Sequence, residues 1–347
     1  MGSAYSYNTL KDITLNILLE AGVSQGDSKT IADSLLEAEL RGVKTHGLIR
    51  LETYLDRMDR GGLNRHPIVK VLMDSGATAL LDGDNCCGQV AGKIGMLKAI
   101  AKAEKFGIGF VGVRKSNHFG IASYYSLMAA ERNMIGFALS NASPRMAPTG
   151  GASRVLGNNP FSVAFPVEND NPIAVDMAVS VVAAGKIRLA AAKNEKIPMD
   201  WALDEDGIPT DDPDKALKGF LLPIGGHKGY GLSLLVDLLS GLLTGSAFGK
   251  YVGNIDQQEL PQNEGHIFGA IKIANFMDRT EYCDKVIQYL SDLKSGKKAA
   301  NIQQIFVPGE IENRNKNKAL ADGIILFEEV VNTMNRLCEK YGLTKLL

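Results

Sequence analysis

The sequence predicts an α+β protein, with strands and helices mixed in the middle of the chain between a helical N-terminal and a helical C-terminal part. Three observations support this. Apolar side chains recur at helical spacing through the first forty residues. From Ile68 to Ala178 the chain breaks into short β-branched and aromatic runs bounded by turn residues. Strands and helices alternate too irregularly for a doubly wound parallel sheet.

The elements follow in order. In "TLKDITLNILLEAGV", Leu10, Ile13, Ile17 and Ala21 share one stripe with Leu18 at its edge; Gly22 ends that helix, and Ser24 or Asp27 caps the next, "SKTIADSLLEAELRG". "IRLETYLDRMDRGG" keeps helical period up to Gly61-Gly62. Past Pro67, "IVKVLM" and "TALLDGD" flank the turn "DSGA" as a hairpin. "GQVAGKIGMLKAIAKAEKFG" reads as a helix and "IGFVGV" as a strand. A helix from about Ile121 to Arg132 leads to the strands "MIGFALSN", "FSVAFPV" and "IAVDMA". The chain turns helical again from "VVAAGKIRLAAAKNEK", around the hairpin-like "DEDGIPTDDPD". A polar loop near Asn254 to Gly265 precedes the alternating strand "HIFGAIKIANF", and two helical stretches lie either side of "IFVPGEIENRNKNK". Residues 1–70 are expected to pack as a helical segment with 300–347, around a central 71–299 sheet domain carrying a helical insert.

The 347 residues are 45% hydrophobic and 22% charged, with a formal net charge of -1. That balance supports two or three packed subdomains and argues against a nucleic-acid binder; "KSGKK" at Lys294 to Lys298 reads as a solvated helix end. No segment has the order of a secretion signal, so a cytoplasmic location is expected. The longest apolar run, "GYGLSLLVDLLSGLLTGSAFG", starts beside Lys228 and carries Asp237 at its middle, so it reads as a buried helix rather than a membrane span. Cys86, Cys87, Cys283 and Cys338 lack paired C-x-x-C spacing and read as reduced packing residues. The five histidines and the acids show no metal-ligand spacing, so no metal is expected.

Gly107, Gly109 and Gly112 spell G-x-G-x-x-G, the pattern of a dinucleotide-binding turn. The context is inverted: that fingerprint needs a strand before the glycines and a helix after them. Here a helix ends at Gly107 and a strand follows, so the Rossmann reading is rejected. The tail "SNHFG" delivers Asn117 and His118 to a strand-to-helix junction, with Gly120 permitting close approach; His118 either caps the next helix or serves a site. "RGVKTHGLIR" gathers Thr45, His46 and Arg50. If a helix has begun, His46 and Arg50 share a face, where arginine clamps a carboxylate and histidine serves as acid or base; the plainer alternative is a capping threonine with two surface residues. "LPIGGHKGYG" places His227 and Lys228 at a helix start suited to an anion, although the spacing is not that of a P-loop. "FVPGE", Phe306 to Glu310, is a Pro-Gly turn after a strand-like pair, and Asp176 lies inside an apolar strand where it needs hydrogen-bond donors.

In this order, "RGVKTHGLIR", "SNHFGIASYY", "GGASRVLGNNPFSVAFP", "IAVDMA", "IPMDWALDEDGIPTDDP" and "GGHKGYGLSLLVDLLSGLLTGSAFG" resemble the malate/L-lactate dehydrogenase family, over nearly the whole chain. That family is unrelated to the Rossmann enzymes and includes ureidoglycolate, sulfolactate and diketogulonate dehydrogenases and cyclic imino-acid reductases. The resemblance implies a non-Rossmann NAD(P)-binding fold on a mixed, largely antiparallel sheet, with residues 71–299 binding the cofactor and a cleft completed by the second subunit of a homodimer. The implied activity is hydride transfer between a small 2-hydroxy acid (malate, L-lactate or ureidoglycolate type) and NAD, with NADP the alternative. His46 matches an acid/base histidine, preceded by Thr45, and Arg50 a carboxylate-binding arginine. His118 matches a second histidine beside the nicotinamide, assigned as the acid/base in ureidoglycolate-type members, and Gly120 follows it. Asp176, Met177 and Ala178 match the segment at the adenosine end, with Asp176 expected on ribose hydroxyls. His227 and Lys228 match a cofactor-contacting pair, and Val307, Pro308, Gly309 and Glu310 the final cofactor loop.

Three departures matter. Thr45 replaces the commoner serine. Lys186 stands where imino-acid reductases carry an aspartate, which counts against that activity. Ala142 replaces a hydroxyl residue, whose hydrogen bond is lost or passes to Asn141 or Ser143. Asp176 favours NAD by repelling a 2′-phosphate, and Arg154 or Arg188 nearby would reverse that preference. The rival readings are imine reduction and a non-catalytic nucleotide-binding scaffold. "GGLNRHPIV", "CGQVAGKIGM" and "IPMDWALDEDGIPTDDP" lean toward ureidoglycolate-type members.

Overall fold

The computed structural model describes residues 4–168 and 170–345; residues 1–3 and 346–347, the outer ends of the two terminal segments, lie outside them. Helices α1 (Tyr7–Glu20) and α2 (Gln25–Leu40) start on the hydroxyls of Ser6 and Ser24, which accept the amides of Thr9 and Asp27. Two 3₁₀ turns, Lys44–His46 and Leu48–Arg50, separate α2 from α3 (Leu51–Asp59). No helix has begun at His46, so the condition for the shared face fails, and His46 and Arg50 sit on separate turns either side of Gly47. The cause is Glu39, whose buried carboxylate accepts the Leu48 amide at 2.8 Å and folds the chain back on α2.

The central sheet has seven strands, β1 (Lys70–Ser75), β2 (Thr78–Asp82), β3 (Ile108–Ser116), β4 (Met134–Ser140), β5 (Phe161–Phe165), β6 (Ile173–Met177) and β7 (Glu264–Lys272). Their order is β1-β2-β3-β7-β4-β5-β6. Only β2 and β3 pair in parallel, joined by α4 (Gly88–Phe106); every other neighbour is antiparallel. Gly107 ends α4 with φ of 84°, as the inverted glycine pattern requires. At Gly109 a Cβ would stand 2.1 Å from the Ala99 carbonyl oxygen, so this glycine lets α4 lie directly on β3.

Helix α5 (Ser123–Ala130) packs on β4 and β5. The insert of α6 (Ala184–Ala192) and α7 (Pro213–Lys218) has its own small cluster around Ile187, Ala202 and Leu221. Helix α8 (His227–Asp237), α9 (Arg279–Ser295), α10 (Glu310–Asp322) and α11 (Glu328–Lys340) complete the chain. Leu10, Leu36 and Leu48 from the N-terminal helices, Val113 and Phe268 from the sheet, and Met334 from α11 share one buried cluster. Each such side chain contributes about 1.5–3 kcal/mol of apolar burial.

The apolar run of α8 departs from expectation. Leu235, Leu238, Leu242 and Leu243 are 46–69% exposed, because an apolar pattern does not distinguish a chain's own core from a surface another chain covers. Asp237 is satisfied by Asn141 Nδ2 at 2.9 Å and the Gly249 amide at 2.9 Å. Among the described residues no helix is long and apolar enough to cross a membrane.

Candidate active site

A cleft of about 480 Å³ opens where the C-terminal end of β3 meets β6, α5 and the start of α10. His46 and His118 line it together with Asp176, Met177, Ala178 and the Val307–Gly309 loop. Gly120 and Ala142 line it as well.

His118 stands two residues past β3 and is held from several directions. Its backbone amide donates to Gln262 Oε1 at 3.1 Å and its Nδ1 meets the Tyr54 hydroxyl at 2.7 Å. Tyr54 in turn accepts Gln89 Nε2 at 2.9 Å, and Gln89 Oε1 accepts the Cys87 thiol at 2.7 Å. The wholly buried guanidinium of Arg57 donates to the carbonyls of Gly62, Ile255, Gln257 and Leu260 and to Asn117 Oδ1, tying the 254–262 loop to the residue before His118. His46 stacks on His118 with ring centroids 5.3 Å apart and an interplanar angle of 23°. Its Nδ1 lies 3.0 Å from Thr45 Oγ1, and Arg50 Nε donates to the Thr45 carbonyl at 2.8 Å.

Burial lowers both imidazoles, His46 to about 4 with the Arg50 charge adding to the effect, and His118 well below its usual range with the His46 and Arg50 charges adding. Both are neutral at physiological pH, the form in which an imidazole can accept a proton. Glu264, at the head of β7, also lines the cleft; burial raises it to about 8, and it accepts Gln262 Nε2 at 2.8 Å. It enters physiological pH protonated.

Asp176 faces the cleft rather than the sheet interior and accepts the Ser123 amide at 2.9 Å, at the N-terminus of α5. The surrounding cleft walls desolvate its carboxyl and raise its pKa, although the side chain stays open to the cleft. Pro308 and Gly309 form the expected turn, but residues 302–307 before it are irregular rather than strand; the Ala174 amide on the Pro308 carbonyl at 3.1 Å fastens the loop to β6. This cleft, with a carboxylate and paired imidazoles among its walls, suits a dinucleotide by the chemistry of its lining.

Several expected residues stand elsewhere. Thr45 and Arg50 support His46 without lining the cleft. His227 and Lys228 are exposed at the head of α8, outside the cleft wall. Glu310 turns away, accepting the Val307 amide at 3.0 Å and Lys294. Arg154 is occupied by the carbonyls of Leu217, Lys218 and Gly219, and Arg188 reaches Asp256 at 3.5 Å, so neither lies against Asp176. Arg41 does line the cleft, held by Glu37 and Asn313. Asn141 cannot supply the hydroxyl missing at Ala142, since its side chain holds Asp237, Ala247 and the Gly265 amide. Tyr54, Arg57, Gln89, Gln262 and Glu264 escaped the sequence reading; the one local hint is that Arg50, Tyr54 and Arg57 repeat at helical spacing.

Fold and cleft together define an oxidoreductase built without a Rossmann domain. The model of the malate/L-lactate dehydrogenase family matches residues 5–335, and the chain belongs to that family. It is 40% identical to a malate dehydrogenase of Pyrococcus abyssi, over 96% of this chain and 93% of the relative. It is 35% identical to the NAD(+) ureidoglycolate dehydrogenase of Escherichia coli, over 94% and 93%. The solved sulfolactate dehydrogenase of Methanocaldococcus jannaschii superposes with a TM-score of 0.93 at 39% identity, covering 99% of this chain and 98% of that one. Enzymes of this family are hydroxy-acid dehydrogenases that use NAD or NADP.

Proposed function

We propose that the chain interconverts a small 2-hydroxy acid and its 2-keto acid, with NAD preferred over NADP. The nicotinamide, when bound, supplies the carbon that exchanges hydride with substrate C2. Arg50, which stands behind the cleft lining with its charge acting on both imidazoles, is assigned to the substrate carboxylate, which a guanidinium holds best. His46, oriented by Thr45, takes the hydroxyl proton during oxidation and returns it during reduction. The observation that carries this reading is the stacked pair of neutral imidazoles in the cleft, on which the Arg50 charge acts.

Asp176 is assigned to ribose hydroxyls, with Met177, Ala178, Gly120 and the Val307–Gly309 loop around it and the exposed His227 and Lys228 as outer cofactor contacts. Its carboxylate disfavours a 2′-phosphate, and the engagement of Arg154 and Arg188 elsewhere supports NAD. The exposed leucines of α8 and of the turns just after it, Leu235 to Leu243, support a homodimer, and reduced buried cysteines support the cytoplasm. Residues 71–299 are assigned as the cofactor-binding part.

The test is nicotinamide absorbance with each cofactor against malate, sulfolactate, ureidoglycolate, lactate and a cyclic imino acid. Turnover of one or more 2-hydroxy acids is expected. Turnover of the imino acid alone would identify an imine reductase, and cofactor binding without turnover a scaffold.

A further inference from the structure

Two histidines in one cleft raise the question of what each ring nitrogen can do. For His118 the surrounding heavy atoms answer it. The chain Cys87–Gln89–Tyr54–His118 has links of 2.7, 2.9 and 2.7 Å, and its four members are buried or half-buried. Cys87 is a thiol, because burial pushes its pKa far up, so its S–H donates to the Gln89 carbonyl oxygen. That fixes the Gln89 amide, whose NH₂ then points at the Tyr54 oxygen. With its oxygen accepting from Gln89, Tyr54 has its O–H left to donate, and the atom at 2.7 Å is His118 Nδ1. A neutral imidazole whose Nδ1 accepts carries its proton on Nε2, and no described residue bonds that nitrogen, which leaves it to a ligand in the cleft that His118 lines.

We infer that Tyr54 is a positioning residue that locks His118 in the Nε2–H tautomer, so that His118 donates a hydrogen bond to the substrate oxygen while His46 carries the proton. This inference rests on the proposed dehydrogenase reading for the substrate, but not for the tautomer. His46 lacks such a lock: its Nδ1 partner is the exposed Thr45 hydroxyl, which can donate or accept. One imidazole therefore has a fixed role and the other a reversible one, as a reaction running in both directions requires.

The experiment is long-range proton–nitrogen correlation NMR on protein labelled with ¹⁵N-histidine, with His118 assigned by the signals lost in His118→Asn. Near neutral pH the His118 pattern is expected to be that of a protonated Nε2 and an unprotonated Nδ1. In Tyr54→Phe the pattern should move toward exchange between tautomers, and turnover should fall with little change in KM. In Gln89→Leu, which leaves Tyr54 intact but frees its hydroxyl, a smaller shift in the same direction is expected. A protonated Nδ1 in the wild type, or an unchanged pattern in both variants with the fold verified by the remaining resonances, would overturn the inference. The readout needs no substrate, so failure of the substrate panel and failure of the tautomer assignment are separate results.

Discussion

His46 and His118 stack at 5.3 Å, yet the chain holds them by different means. His46 rides on a three-residue 3₁₀ turn whose closest polar contact is an adjacent, exposed threonine. His118 stands two residues past the nine-residue strand β3 and is fixed through Gln262, Tyr54 and, one residue before it, the Asn117–Arg57 link. The difference teaches that adjacent groups of one residue type can have separate tasks, set by how firmly the protein dictates their hydrogen-bond direction. On the proposed reading, the ring whose partner can either donate or accept serves proton transfer, and the ring with a dictated hydrogen-bond direction serves orientation.

The sharpest way to break this comparison is to remove each ring. His46→Ala should lower turnover by roughly 10²- to 10⁴-fold, the usual contribution of general acid–base catalysis. If steady-state kinetics instead show His118→Ala abolishing turnover while His46→Ala only raises KM, the roles are reversed.

Glu264, bonded to the Gln262 that holds His118, gives the next effect. An unfolded glutamate titrates near 4.5 and Glu264 near 8. Below the first value both states hold the proton; between the two the unfolded chain releases it while the fold keeps it, so folding loses stability as pH rises. Glu264→Gln should therefore gain stability over the wild type between those values, levelling off above them at on the order of a few kcal/mol. Urea melts across this range measure it, and a gap constant with pH would contradict it.

On the His46 side, Arg50→Lys should reduce kcat/KM by roughly 10- to 100-fold, mainly through KM, because an ammonium cannot reproduce the bidentate clamp. Elsewhere in the cleft wall, Asp176→Ser should narrow the preference for NAD over NADP by about tenfold, the size of one modest electrostatic contact. Cofactor-dependent kcat/KM ratios would show it, and an unchanged ratio would remove Asp176 from the ribose.

Much of this molecule was legible in the residues. The hairpin at "DSGA", the helix stop at Gly107 and the strands β4, β5 and β6 follow from periodicity and turn chemistry, which act within a few residues. His118 and Asp176 stood out because a titratable residue at a strand end or inside an apolar run is locally anomalous, and His46 through its spacing from Arg50 and the motif around it. Gln262 and Glu264, in a polar stretch, give no such signal.

The sequence by itself determined the class of fold, the absence of a Rossmann turn and the identity of both histidines, all matters of short-range pattern and motif. Only the tertiary structure inserted β7, residues 264–272, between β3 and β4. It also faced α8 outward, turned Glu310 from the cleft and carried Tyr54 across 64 residues to His118. The reason is physical: local propensity reflects neighbours along the chain, whereas a hydrogen bond between distant side chains exists only after the backbone has brought both ends together.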